Sequence, residues 1–495
     1  MSRSRLWSWS SWPSDVILLG PEQGVYPVDR LVNVAEYHVE HFGCRASRAD
    51  GEAIASGLRL AGLLEAGDMA VADVVVLNTC SVTAEADRSA RAYLRRVRRK
   101  NPAARVVLTG CYAQRAPEEV ARLEGVSVVV GNSHKSRVME AALSVVRREP
   151  GPKGAFVPLG ALLGGRDPAS APSVWHDPLF AHAELSALPF ASDAHQTRPN
   201  LKIQDGCGNR CSFCVIPGTR GPSRSVSMPE CLEAVRAFVD GGGKELVLSG
   251  INLGRWGRDS SPAERLEGLV ASIMENTAIP RLRISSVEPM DWTAELISLL
   301  RRYGSGESPR LARHAHLPLQ SGSDTILRAM HRRYRPWHYA ARVREIRAAS
   351  PLAAIGADVM IGFPGESDAL FRETYDFIEA LPLTYLHVFP FSARPGTPAF
   401  ALHEANPVHG EAVNERKAAL KSLIAAKNAA FRRQFVGKTL AVVTLTDRDP
   451  VSTECLSDNF IKVSISGDHR PNQLLLARIR ETSFDGLRGL ALSAF

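Results

Sequence analysis

The sequence predicts an α/β protein in three parts: an amino-terminal parallel-sheet α/β domain, a central open (β/α)6 partial barrel, and a small carboxyl-terminal β-barrel. Three observations predict it. From about residue 31 to residue 148, short apolar runs alternate with helix-length connections, the pattern of a parallel sheet covered by helices. The same rhythm restarts near residue 197 and repeats about six times, each strand closing in a polar or glycine-rich turn of the kind that builds a site at a barrel rim. Beyond residue 436 the helices stop and short strands follow one another, the habit of a small barrel. A length of 495 residues also exceeds one core.

In the amino-terminal part, the run at 34–42 closes in Gly43-Cys44, the run at 74–77 in Asn78-Thr79-Cys80, and the run at 106–108 in Thr109-Gly110-Cys111. Parallel strands would deliver all three thiols to the carboxyl edge of one sheet, where open α/β sheets bind ligands. A lone cysteine ending a strand is an ordinary small buried hydrophobe. Three in the same structural position point to a metal centre with one corner left open. Between the second and third runs, Arg88, Arg91, Arg95, Arg96, Arg98, Arg99 and Lys100 form either a solvated helix face or a phosphate contact. Residues 149–196, rich in proline, glycine and alanine, read as a linker.

The central part, 197–435, has candidate strands at 201–204, 245–248, 282–285, 314–319, 355–361 and 385–390. The first opens directly into Cys207-Gly208-Asn209-Arg210-Cys211-Ser212-Phe213-Cys214. Three thiols so close in sequence can hold one inorganic cluster and leave one of its metals without a protein ligand. The alternative is structural zinc, which wants four protein ligands. Cys231 can supply the fourth, although it lies on the apolar stripe of a helix, where a buried thiol is expected. In the later turns, Ser286, Glu288 and Gln320 can hydrogen-bond a bound small molecule, and Arg333 or Arg335 can meet a carboxylate. The plain readings of these are turn residues and surface arginines.

The carboxyl-terminal part, 436–495, follows a helical stretch at 408–435 and has candidate strands at 440–445, 460–464, 474–479 and 487–492. Lys462, Arg478 and Arg480 are its candidate phosphate contacts.

Composition narrows the class. A hydrophobic fraction of 45% and a charged fraction of 23% exclude a chain-wide disordered or fibrous protein. A net charge of +8 permits a nucleic-acid partner without requiring one. Eight cysteines are too sparse for a disulfide scaffold and suit a reducing, cytoplasmic setting. Residues 1–30 lack a signal-peptide core and read as a disordered extension, and no apolar run approaches the roughly 20 residues that cross a bilayer.

The Cys207/Cys211/Cys214 spacing at the head of a six-strand βα domain resembles the radical S-adenosylmethionine superfamily. The upstream Phe42-Gly43-Cys44, Asn78-Thr79-Cys80 and Thr109-Gly110-Cys111 resemble its methylthiotransferases. The segments at 109–114, 203–207 and 387–397 are most similar to the branch acting on threonylcarbamoyladenosine in tRNA. The other branches act on isopentenyladenosine in tRNA and on a ribosomal-protein aspartate.

The resemblance implies two 4Fe-4S clusters. One, on the catalytic Cys207, Cys211 and Cys214, would chelate S-adenosyl-L-methionine and generate a 5′-deoxyadenosyl radical; the other, on Cys44, Cys80 and Cys111, would deliver methylated sulfur. Ser286, Glu288, Gln320 and Arg333, read from the turns, are then the candidate cofactor-binding residues, and the resemblance implies that the final segment is a TRAM-like RNA-binding domain. The implied partners are a tRNA anticodon loop, an electron donor protein and a sulfur source. Three positions depart from the family pattern: Arg45 stands for a lysine, Ser47 for an asparagine and His41 for a threonine. The reading from a different class is a zinc-stabilised RNA-binding protein without catalysis.

Overall fold

A computed structural model describes residues 35–146, 172–181, 185 and 197–494; the extension at 1–30 and most of the linker at 149–196 lie outside the described residues. The first sheet contains β1 (Glu36–His41), β2 (Leu64–Glu65), β3 (Val74–Thr79), β4 (Arg105–Gly110), β5 (Val126–Gly131) and β6 (Ser173–Trp175), in the order β2-β1-β3-β4-β5-β6. Every pairing is parallel. Its valine-rich strands are buried on both faces, as a helix-covered parallel sheet requires. Val75, Leu77, Val106 and Leu108 pack on Tyr93, Leu94 and Val97 of the helix Ala84–Lys100. Val74, Val76 and Val107 face Ile54 and Leu58 of the helix Arg45–Leu60 and Ala141 of the helix Val138–Val146. β2 and β5 extend the three strands read from sequence, and β6, inside the stretch read as linker, pairs with β5 through Val128 and Ser173.

The central part contains β7 (Asn200–Asp205), β8 (Arg224–Ser225), β9 (Glu245–Gly250), β10 (Arg281–Ile284), β11 (His314–His316), β12 (Ala354–Ile361) and β13 (Tyr385–Pro390). The six expected strands are present and parallel, with β8 an added antiparallel edge. Parallel bridges Leu282–Leu311 and Ser286–His316 join the two sheets into one open partial barrel, β8-β7-β9-β10-β11-β12-β13. Strand alternation sorts the side chains. Leu246, Leu248, Leu282, Ile284, Ile355 and Val359 belong to one large apolar core, whereas Glu245, Arg283, His314, His316, Tyr385 and His387 make polar contacts across the other face.

The last part is a closed barrel of β14 (Thr439–Arg448), β15 (Ser452–Ser457), β16 (Lys462–Ser466), β17 (Leu474–Thr482) and β18 (Leu487–Ala494), preceded by the helix Gly410–Arg433. β15 completes the barrel where the sequence pointed to four strands. Phe460, read from sequence as a strand residue, instead occupies a left-handed turn at φ +61°, and β16 begins at Lys462. That turn seats against the central barrel. Arg283 donates to the carbonyls of Ser457 and Asp458 at 3.0 Å each, Arg313 pairs with the Asp458 carboxylate, and the Phe460 ring lies 4.6 Å from His314. Among the described residues, no helix is long and apolar enough to cross a membrane.

Candidate functional site

Register decides where the upstream thiols go. Thr79 of β3 pairs with Gly110 of β4, so Cys80 and Cys111, the next residues, leave the sheet side by side; His41 of β1 pairs with Asn78 of β3, bringing Cys44 to the same edge. Two glycines make this possible. Gly43 has φ +105°, and a Cβ there would stand 2.5 Å from the Cys80 Cβ; Gly110 has φ +101°, and a Cβ would stand 2.2 Å from the Thr79 carbonyl oxygen. Cys44 then caps the helix Arg45–Leu60, whose amino terminus favours a thiolate.

Among the upstream sulfurs, Cys111 accepts an N–H hydrogen bond from Asn132 Nδ2 at 3.4 Å. Cys80 and Cys111 are buried, and Cys44 remains reachable by solvent. Burial, and then the like charge of Cys111, push the Cys80 thiol up to about 12.

The second thiol group follows β7. The Asn209 amide at 3.4 Å and Asn252 Nδ2 at 3.5 Å address Cys207, and Arg332 Nη1 donates to Cys211 at 3.2 Å. Burial, opposed by the nearby Ile216 amide, pushes the Cys214 thiol up to about 12. Ser212 ties the loop down, donating from its amide to Met330 and from its hydroxyl to Ala329.

Cys231 and Cys455 behave in the opposite sense: their thiols donate to the Val226 and Thr453 carbonyls. Thiolates that accept N–H bonds suit an iron–sulfur cluster at each three-cysteine site. Cys231, buried in its helix and turned to its own backbone, is unsuited to be a fourth ligand.

A buried ionic network joins the two groups. Asp50 accepts from Arg220 at 3.0 Å and from Lys202, with Lys135 at 3.6 Å; Asp205 accepts from Arg220 and Lys202 at 3.0 Å each. Burial alone would raise Asp205, but the Arg220 and Lys202 charges outweigh it and hold its carboxyl well below the usual range. Three cations against two carboxylates leave positive charge facing Cys44 and Cys111, the thiols electrostatically coupled to Arg220. That excess offsets the negative charge of thiolate ligands.

The cofactor-binding candidates land around this mouth. Glu288 pairs with Arg332 and, with Cys211 and the exposed Arg333, lines an open cleft. Gln320 is buried at φ +65° with its side-chain oxygen unpartnered. Ser286 is bonded to His316 Nδ1. The guanidinium that reaches the cysteines is that of Arg332, adjacent to the Arg333 singled out from sequence, and Arg335 pairs instead with Asp324. Asn132, Asn252, Arg332 and the ionic network were missed in the sequence because no spacing rule links them to the thiols. Asp205, immediately before Gly206-Cys207, carried the one local signal.

Residues 36–131 match the family described as Uncharacterized protein family UPF0004, and residues 201–378 match the Radical SAM superfamily. The chain is 33% identical to the threonylcarbamoyladenosine tRNA methylthiotransferase MtaB of Bacillus subtilis, over 86% of this chain and 89% of that protein. It is 32% identical to the tRNA-2-methylthio-N(6)-dimethylallyladenosine synthase of Novosphingobium aromaticivorans, over 82% and 86% respectively. Among solved structures, the radical S-adenosylmethionine methyltransferase TsrM from Kitasatospora setae, with cobalamin and a [4Fe-4S] cluster bound, shares the fold. Its TM-score is 0.53 at 15% identity, covering 74% of this chain and 77% of that one.

Proposed function

The chain belongs to the radical S-adenosylmethionine methylthiotransferases that modify tRNA, and from that membership we propose that it converts N6-threonylcarbamoyladenosine beside the anticodon to its 2-methylthio derivative. The observation that carries the chemistry is the pair of three-thiol sites at one barrel mouth, joined by Arg220, Asp50 and Asp205. When bound, a 4Fe-4S cluster on Cys207, Cys211 and Cys214 supplies the electron that cleaves S-adenosylmethionine to a carbon radical, and one on Cys44, Cys80 and Cys111 supplies the sulfur.

The protein's own groups position and shield. Arg332 neutralises the Cys211 thiolate while Glu288 holds the guanidinium in place. The unpartnered Gln320 oxygen accepts a hydrogen bond from a bound nucleoside or amino group. Arg333 sits exposed at the rim, where it meets a carboxylate or a phosphate. On the terminal barrel, Arg478 and Arg480 occupy alternate, exposed positions of β17 and serve as phosphate contacts, whereas Lys462 is already paired with Asp485 at 3.2 Å. Reading an unpaired anticodon-loop base, turned out into a pocket, fits the general mode of RNA recognition. An electron donor protein and a sulfur source complete the cycle, in the cytoplasm where tRNA is modified.

Nucleoside mass spectrometry of tRNA from cells lacking the protein tests the substrate. The methylthio derivative of threonylcarbamoyladenosine should disappear; its persistence overturns the reading. Anaerobically purified protein should be brown with about eight iron per chain. Colourless protein with stoichiometric zinc would favour the RNA-binding alternative.

A further inference from the structure

Inside the central barrel, Arg45 differs from the other described guanidiniums. Arg198, Arg281 and Arg283 converge on Glu245, and Arg283 also donates to two carbonyls of the terminal barrel. The Arg45 guanidinium, among the described residues, has no ion pair or hydrogen bond. Its recorded contact is the Phe460 ring, 5.7 Å from Cζ to the centroid. Arg45 follows Cys44 as the first residue of the helix Arg45–Leu60, and its side chain enters the barrel among Tyr385, Arg283, Glu245 and Asp358.

A polar wall stands beside it. His316, Asp358 and His387 offer ligand atoms within 4.8 Å of one another. Asp358 is engaged by His316 at 3.4 Å, and His316 is bonded through its other nitrogen to Ser286. Burial, and then His316, push His387 below its ordinary value, so its ring offers a neutral N–H donor. His387 and Cys44 are exposed, while Arg45 and Asp358 are half-buried, so solvent reaches this recess beside the upstream thiol site. Four guanidiniums, of Arg45, Arg198, Arg281 and Arg283, face the carboxylates of Glu245 and Asp358. The surplus disfavours a bare cation among the three ligands and favours an anion.

We propose that Arg45, with His387 as a second donor, binds the carboxylate of the substrate's threonylcarbamoyl side chain and thereby distinguishes it from an uncharged N6-alkyl group. This rests on the substrate reading above, in which the adenine must approach the Cys44 site to receive sulfur. The residue bonded to Cys44 also carries the recess's unpaired charge, so base and side chain are addressed from one point of the chain. A guanidinium–carboxylate pair is charge-assisted and can be bidentate. An apolar isoprenoid group in the same place would leave a desolvated guanidinium without a partner, and a site left unpaired in this way rejects its analogue strongly. Arg45 is on this basis a specificity residue.

The test uses the full chain with both cysteine sites loaded. The probes are anticodon stem-loop RNAs bearing threonylcarbamoyladenosine, its methylamide, in which the carboxylate charge is removed, or isopentenyladenosine. The readout is the ratio of dissociation constants for amide and acid RNAs, by fluorescence anisotropy, with methylthio product measured by mass spectrometry. Wild type should bind the acid RNA on the order of 10- to 100-fold more tightly than the amide. Arg45→Gln should bring that ratio near one through weaker acid binding, and Arg45→Lys should retain most of it; a merely structural role would weaken both RNAs alike. His387→Gln, distant in sequence from any cluster cysteine, should reduce the ratio several-fold and decides the matter if Arg45→Gln fails to hold iron. A ratio near one in wild type, an unchanged ratio in Arg45→Gln, or, where that variant loses iron, an unchanged ratio in His387→Gln overturns the inference. Product formed by wild type on isopentenyladenosine RNA and not on threonylcarbamoyladenosine RNA overturns the substrate reading instead.

Discussion

Three sulfurs in this chain accept N–H hydrogen bonds and two donate to carbonyls. Cys111, Cys207 and Cys211 each meet an N–H, whereas Cys231 and Cys455 turn their thiols to backbone carbonyls. An N–H donor at sulfur favours the thiolate and a carbonyl acceptor favours the thiol, so the two kinds of cysteine differ residue by residue. On the proposed function, Cys211→Ala should abolish formation of 5′-deoxyadenosine, because it removes one of the three thiols of the downstream site. Cys80→Ala should retain some 5′-deoxyadenosine while losing methylthio product, and chromatography of both products checks the pair. Equal loss of cleavage in the two variants would contradict separate roles. All six positions stand out in the sequence because spacing and strand ends are local properties. Arg332 does not, since it reaches Cys211 from 121 residues away and looks no different from Arg333 in a run of basic residues.

At the scale of elements, the upstream site depends on strand ends that finish level. Gly110→Ala places a Cβ against the Thr79 backbone and forces an L side chain to adopt φ +101°. We expect it to destabilise the protein by about 2–4 kcal/mol. It should also remove roughly half of the bound iron, by displacing Cys111 while leaving the downstream thiols in place. Thermal denaturation and iron analysis together check this; full iron content would show that β4 tolerates the added methyl group.

The strands themselves were readable where β-branched runs are continuous, as in Val74-Val75-Val76. β15 was missed because Ser452-Thr453-Glu454-Cys455-Leu456-Ser457 is mostly polar and gains its place from the closing barrel. Phe460 was misplaced for a related reason. An aromatic residue after Asn459 suggests a strand, but here its ring packs on His314 and Tyr385, joining the terminal barrel to the central strands.

Across the whole molecule, buried charge does the joining. Glu245 lies at the base of the central barrel with Arg198 and Arg283 at 2.7 Å and Arg281 at 3.4 Å, and Arg283 continues into the terminal barrel. Burial would raise the Glu245 carboxyl, but Arg283, Arg198 and Arg281 hold it well below its ordinary value. A carboxylate depressed in the folded state contributes stability above its unfolded pKa and loses it as pH falls toward the folded value. Acid unfolding, followed by ellipticity, should therefore set in below about pH 4. Glu245→Gln should cost about 3–5 kcal/mol at neutral pH by stranding three guanidiniums, and should flatten the acid limb. A neutral-pH stability equal to wild type would show that the arginines find other partners.

The three-part organisation was legible from changes in pattern, whereas these ion pairs were not: Asp50 and Arg220 meet across 170 residues. That separation bears on inheritance. Composition marks the boundary near residue 197 as the natural place to exchange segments between relatives. Yet Asp50 and Lys135 on one side are held in a single buried ion-pair set with Lys202, Asp205 and Arg220 on the other. A recombinant joined there would pair mismatched halves of one buried charge set, so both cysteine sites are constrained to descend as a single block.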